Sequence, residues 1–375
     1  MVIVIVILSV LLLYLLERVL YRKFWDKGLS IKIRFLNYSA HEGGTGTVEE
    51  QIANRNYLPL PFLHAKFECG AGISFDNTEN VSTSDRNYKN DIFSVLFFQR
   101  VTRRLGFRAL KRGYYAIRSA DLVGEDLFYS VHMVRSFPQD SDFYIYPKLI
   151  DTSAFDQPLK KLIGDMTAKT FLLPDPFEFR GIRDYTISDP MNTINWKASA
   201  RAGALMVNQY NSTTTKRIVI FLNLEDETLI HHGPLHEESM RIAASLAERL
   251  LHEGYPVSMI SNGRDCETKE AFQRFDLSGL SQVQEIFRML ARTDLRLDKQ
   301  NYAEIVREEM KLPDYTQAGY VLISPSMKQE LQEAFRTLAQ EAAALYVTPL
   351  YDNMDSRIEE NPGFSVMRWE VKGHA

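Results

Sequence analysis

Residues 177–201 (FEFRGIRDYTISDPMNTINWKASAR) hold the densest set of chemically capable side chains in this 375-residue chain. Arg183, Lys197 and Arg201 are long donors, Asp184 and Asp189 are acceptors, and Tyr185 and Trp196 pair an apolar body with a polar tip. Interleaved so closely, they could clamp the connection between two parts of the chain through bidentate Arg–carboxylate pairs and cation–π contacts. They could equally form an exposed hot spot for a protein partner. No nucleophile or general base is evident among them, so catalysis is not expected there. A second cluster, Glu225, Asp226 and Glu227, offers oxygen ligands of the kind Mg²⁺ or Ca²⁺ prefers. His231, His232 and His236 follow. His232 and His236 have the spacing of ligands on one helix face, but Gly233 and Pro234 intervene, which points to a loop leading into a helix from His236. There is no Gly-x-Ser-x-Gly, no phosphate-cradling Gly-rich loop and no His-Glu-x-x-His. Cys69 and Cys266 lack metal-like spacing and read as buried small hydrophobes.

The second cluster sits in a stretch that alternates strand with helix. Arg217 to Leu224 (RIVIFLNL) is a continuous apolar run, as in a parallel sheet covered on both faces. A helix over His236–Glu253 places Met240, Ala243, Ala244, Ala247, Leu250 and Leu251 on one face. Strands at 256–261, 320–324 and 345–348 alternate with helices at 280–292, 298–310 and 326–344, which predicts a doubly wound α/β domain over 216–375. Residues 30–150 instead carry short alternating strands about ten residues apart, the rhythm of an antiparallel, Ig-like β-sandwich. Residues 151–215, with 177–201 inside them, read as a linker. Arg100 to Arg118 holds seven bases and no acid. Its alternation with Val101, Leu105 and Phe107 predicts a solvated strand face, against the alternative of a stripe for anionic lipid.

The first sixteen residues, MVIVIVILSVLLLYLL, are almost wholly apolar. Extended through Tyr21, they reach the ~30 Å of a hydrocarbon core. A cleaved signal peptide would have a basic lead-in and a small-residue cleavage site, and neither is visible. Residues 1–24 therefore read as a single-pass transmembrane anchor. Six bases against two acids between Glu17 and Arg34 predict that the soluble part lies in the cytoplasm. Over the whole chain 48 acids against 44 bases leave a net charge of −4, so no global basic excess favours nucleic acid.

The 177–201 stretch resembles the bacterial family known as domain of unknown function 58. The family pattern is matched by Arg183-Asp184-Tyr185, by Asp189, and by Ile194-Asn195-Trp196-Lys197-Ala198-Ser199-Ala200-Arg201. Ser188 replaces the usual Gly, and Met191, Asn192 and Thr193 occupy the place of a common Arg. Arg112-Gly113-Tyr114-Tyr115, Asp121, Asp126-Leu127-Phe128 and Tyr144-Ile145-Tyr146-Pro147 are similar to the family's β part.

The resemblance implies a von Willebrand factor A-like fold for the α/β half and a MoxR-type AAA+ ATPase as partner. It carries no reaction. In A-like domains a metal is held first by Asp-x-Ser-x-Ser after the first strand. Here that segment is Asn223-Leu224-Glu225-Asp226-Glu227, and the later strand ends in Ile323-Ser324-Pro325 without an acid. A degenerate, metal-free site is the expectation, with no cofactor.

The expected protein is thus a membrane-anchored, non-enzymatic adaptor or assembly factor. The alternatives are a metal-dependent ligand-binding A domain and an enzyme acting on the cell envelope.

Overall fold

A computed structural model describes residues 2–77, 81–83, 86–170, 179–186, 189, 191–210, 217–228, 231–272, 274–352, 354, 356–358 and 363–371. Phe177, Glu178, Ile187, Ser188 and Pro190 of the expected motif lie outside the described residues. The chain divides into two compact units, Met1–Lys148 with Leu290–Arg292, and Leu149–Met289 with Thr293–Ala375.

The first unit begins with helix α1 (Val2–Phe24), long and apolar enough to cross a membrane, a test that spans and signal sequences both pass. Strands β1 (Leu29–Phe35), β2 (Ser39–His41), β3 (Thr45–Asn54), β4 (Leu60–Gly70) and β5 (Ile73–Phe75) follow. Then come β6 (Val81–Thr83), β7 (Arg86–Val95), β8 (Arg100–Ala109), β9 (Gly113–Glu125) and β10 (His132–Tyr146). They form a four-stranded sheet, β1-β3-β8-β5, and a six-stranded sheet, β2-β10-β9-β4-β7-β6. All pairings are antiparallel except β2 with β10, so the expectation of a wholly antiparallel pattern misses one short edge strand.

Alternation builds the shared core. In β1, buried Leu29, Ile31, Ile33 and Phe35 alternate with exposed Ser30, Lys32 and Arg34. Ile33, Val48, Ile52 and Phe107 of one sheet join Leu63, Phe67, Phe93, Ile117 and Phe143 of the other in one buried cluster. The basic run at 100–118 is answered by acids on neighbouring strands. Glu49 lies opposite Arg104 in register and also takes Arg34 at 2.7 Å. Arg118 meets Asp142 at 2.9 Å. These are cross-strand pairs on a strand face.

The second unit opens with α2 (Asp156–Thr170), within the stretch read as a polar linker. Phe155, Leu159, Leu162 and Met166 recur at helical spacing and are buried. The lysines and aspartates between them mask that stripe in the sequence. Strands β11 (Phe179–Asp184) and β12 (Met206–Tyr210) flank the short helix α3 (Trp196–Ala202).

Next come β13 (Ile218–Leu222), α4 (Gly233–His252), β14 (Val257–Ser261), β15 (Phe275–Leu277), α5 (Val283–Arg292) and α6 (Tyr302–Glu309). The chain ends with β16 (Gly319–Ile323), α7 (Gln329–Glu341), β17 (Ala343–Tyr351) and β18 (Ser365–Val371). The sheet order is β15-β14-β13-β16-β17-β18. Every pairing is parallel except that of the edge strand β15. All five residues of β13 and of β16 are buried, as a sheet covered on both sides requires. Helices α6 and α7 bury Tyr302, Val306, Leu331, Phe335 and Leu338 with Phe221, Tyr320 and Tyr346. Helix α4 packs against β13, β14, β16 and β17. Of the two cysteines, Cys69 is buried as expected and Cys266 only partly so.

Candidate functional site

The motif folds as a β–helix–β frame. Strand β11 pairs antiparallel with β12, Arg183 opposite Val207 and Asp184 opposite Met206. Helix α3 is capped at both ends. The Asn195 side chain accepts the Ala198 N–H at 2.9 Å, and Gly203 at φ 71° closes the C-terminus, its N–H bonding Ser199 O. Asn195 Nδ2 also donates to Asn208 Oδ1 at 2.7 Å, and the Ser199 hydroxyl accepts the Met206 N–H at 2.8 Å. Helix and hairpin are thereby tied together, with Ile194 and Val207 buried beneath.

Inside this frame the clamp has two members. Arg183 Nη1 and Nη2 donate to Asp189 Oδ2 and Oδ1 at 2.7 and 2.6 Å, a bidentate pair. Asp189 also accepts the backbone N–H and the hydroxyl of Thr186, both at 2.8 Å. The Arg183 guanidinium, followed by these Thr186 bonds, holds the Asp189 carboxyl well below the usual range. The pair closes a turn within the motif itself. Asp184, Trp196, Lys197 and Arg201 stay outside it and are exposed, Trp196 at 66 %, and Tyr185 is half-buried. Lys197 and Arg201 form no ion pair with any described residue.

The three acids after β13 do not converge. Glu225 binds Lys328 Nζ at 2.6 Å, and Glu227 binds Arg357 at 3.2 Å. Asn223, at the end of β13, is wholly buried and bonded to Ser324 and Asn262, both at 3.0 Å. With both glutamates matched to cations and Asn223 a neutral amide bonded to its neighbours, this segment fits a hard divalent cation poorly.

Asp226 alone turns elsewhere. Its Oδ2 lies 2.8 Å from His231 Nδ1 and its Oδ1 2.7 Å from His236 Nε2. The His232 N–H donates to Oδ1 at 3.2 Å. Burial opposes ionisation of Asp226, but the hydrogen bonds from His231, His236 and His232 outweigh it and hold the carboxyl down at about 2. His236 is fully buried, and burial more than any other cause lowers its pKa, so its imidazole is neutral near pH 7. A carboxylate at Nε2 fixes the proton there. Nδ1 is then a bare acceptor, and it has no hydrogen-bond partner among the described residues.

One ligand atom from each of Asp226, His231 and His236 lies within 4.8 Å of the others. This mixed nitrogen and oxygen set suits a first-row transition ion such as Zn²⁺ better than Mg²⁺.

The sequence reading missed this trio because it paired His232 with His236. In the structure α4 begins at Gly233, three residues earlier than expected, with Pro234 in the first turn. Proline is tolerated there because that turn's N–H groups have no helical acceptor. His236 therefore stands on a helix, and His232 caps it through its backbone.

Comparison with known proteins fits this part of the chain. The model of the family described as "Protein of unknown function DUF58" matches residues 181–364, just under half of the chain. The match supports the DUF58 family. It spans both the clamp and the Asp226 cluster, and the DUF58 description assigns no function to either. No curated protein matches the chain.

Among solved structures, the CARDB domain of a Pyrococcus furiosus protein in complex with di-metal ions is 13% identical. That comparison covers 30% of this chain and 91% of that one, with a TM-score of 0.19. A non-cellulosomal cohesin from Archaeoglobus fulgidus is 11% identical over 34% of this chain and 97% of its own, with a TM-score of 0.21. CaCohA2 from Clostridium acetobutylicum is 13% identical over 31% and 90%, also at 0.21. Likeness at these scores decides neither fold nor function.

Proposed function

We propose that this chain is a membrane-anchored, non-enzymatic adaptor or assembly factor that works through protein–protein contacts. Its partner on this reading is a MoxR-type AAA+ ATPase, its parallel-sheet unit is von Willebrand factor A-like, and its soluble part is cytoplasmic. The observation that carries the proposal is the exposed face of α3. Trp196, Lys197 and Arg201 project from a helix fixed by two caps, a hairpin and the Arg183–Asp189 pair. An exposed Trp beside cations that form no ion pair with any described residue, on a rigid support, is the composition of a binding hot spot. It is also an arrangement that internal packing leaves unexplained. The partner's identity rests on the family resemblance, and the orientation on the basic residues between Glu17 and Arg34.

The test is affinity purification of the full-length chain from its native membranes in mild detergent, beside a Trp196→Ala/Arg201→Ala variant. Recovery of an AAA+ ATPase with the wild type alone supports the adaptor. Recovery with neither protein, or equally with both, removes the α3 face from the account.

A metal-dependent ligand-binding domain is the second reading. It is favoured by Asp226, His231 and His236, in place of the three consecutive acids.

A further inference from the structure

The end of the first unit that holds α1 also holds its exposed aromatic turns. Asn56 Nδ2, in the β3–β4 turn, donates to Phe24 O at the end of α1. The Phe98 N–H, in the β7–β8 turn, donates to Asn56 O. The Leu127 N–H, in the β9–β10 turn, donates to Glu17 Oε1, and Tyr21 OH donates to Pro59 O. All three turns therefore gather around the C-terminal half of α1.

Their tips are apolar. Leu96, Phe97 and Phe98 cap one turn, and Leu127, Phe128 and Tyr129 another, all of them exposed, Phe98 at 57 % and Phe128 at 61 %. Two of these rings stand on left-handed backbone, Phe98 at φ 52° and Tyr129 at φ 55°. A bulky residue rarely adopts that conformation without a compensating role.

The β9–β10 turn also climbs the helix. Phe128 packs edge-on against Tyr14 at 5.5 Å, seven residues before Tyr21, a rise of about 10 Å along α1. Wherever a bilayer surface cuts α1 between those two tyrosines, it meets this turn as well. Arg22, Lys23 and Lys27 are exposed just beyond, where anionic headgroups would lie.

We propose that the turns at Leu96–Phe98 and Leu127–Tyr129 insert into the interfacial layer of the same bilayer that α1 crosses. The first unit is then seated on the lipid surface at three points, with its aromatic rings at headgroup depth. Water exposes more than half of each Phe ring in the isolated chain, and lipid covers it in the membrane. The inference rests on α1 remaining in the protein as a membrane span.

The experiment uses the full chain in lipid vesicles, carrying Phe98→Trp or Phe128→Trp, with Tyr38→Trp as the reference. Tyr38 is 85 % exposed and follows β1 at the opposite end of the sheets. Acyl-chain-brominated lipid is compared with plain lipid, and carbonate extraction is run on the same vesicles. The expected result is retention in the membrane, with the emission added at positions 98 and 128 blue-shifted and quenched while that at 38 is unaffected. Retention with all three reporters unquenched overturns the seat and leaves the anchor standing. Release by carbonate overturns the anchor, and the seat with it.

Discussion

Arg183 grips Asp189 with both terminal nitrogens, at 2.7 and 2.6 Å, across the turn that joins β11 to the segment before α3. The fork geometry matters more than the charge, because only a guanidinium presents two parallel N–H groups to one carboxylate. Arg183→Lys is therefore expected to behave like Arg183→Ala. Both should raise amide exchange across residues 183–210 while the melting temperature of the parallel-sheet unit stays put. The pH dependence has a definite sign. Asp189 has a depressed folded pKa, so its contribution is present above the ordinary carboxylate value of about 3.9 and is lost as pH falls through the lower folded value. Exchange protection of this turn that persists below pH 4 in wild type, and not in Asp189→Asn, is the outcome to look for.

Trp196 stands on that frame without taking part in it. Trp196→Ala should change stability by no more than about 0.5 kcal/mol, as for surface positions away from caps and cores. Ile194→Ala, two residues earlier and buried, should cost about 2–5 kcal/mol. Thermal melts of the two variants separate the roles. A Trp196→Ala protein that melts as early as Ile194→Ala would show that the indole packs internally, and the α3 face would lose its claim as a contact surface.

The Asp226 cluster offers a test with two readouts. Asp226→Ala leaves the buried His236 imidazole without its side-chain hydrogen-bond partner among the described residues, at a cost of about 1–3 kcal/mol. That loss is expected with or without metal. A bound ion adds a second effect, a rise in melting temperature on addition of Zn²⁺ that the variant lacks. Substituting Co²⁺ should then give visible absorption in the wild type. Destabilisation without either metal response would leave Asp226 as a structural anchor for His231 and His236.

Much of this was readable in the sequence because one-dimensional pattern fixed it. The strands of the first unit show apolar residues at every second position, and β13 and β16 are unbroken apolar runs. The motif residues were singled out by type, and two of them, Arg183 and Asp189, form a bidentate pair that closes a turn within the motif. What stayed hidden depended on folding back. Asp226, His231 and His236 meet only because a loop returns onto the first turn of α4, so no helical or strand spacing announces them. Helix α2 was hidden by the lysines and aspartates on its outer face. The two aromatic turns near α1 come from separate connections, β7–β8 running between the two sheets and β9–β10 closing a hairpin within one, and only the folded unit brings them to one end.

Glu50 supplies a pH prediction for the first unit. On β3 it lies between Val48 and Ile52 on the inward face, and it is fully buried. Asp91 and Lys89 of β7 are buried as well and lie 3.3 Å apart. Burial first, then the charge of Asp91, raises the Glu50 carboxyl to about 8, with Arg103 and Lys89 opposing in part. A carboxyl raised in the folded state holds its proton after the unfolded chain has lost it. Its stabilisation is complete below the unfolded value of about 4.3 and is lost as pH rises through the folded one. The calorimetric transition of this unit should therefore weaken between pH 5 and pH 8, on the order of 1 kcal/mol per pH unit, and level off above that. Glu50→Gln keeps the shape and removes the ionisation, so its transition should be nearly flat over the same range and lie above wild type at pH 8. A wild-type transition that strengthens from pH 5 to pH 8, with the variant following it, would mean that Glu50 is ionised and matched by Lys89 and Arg103.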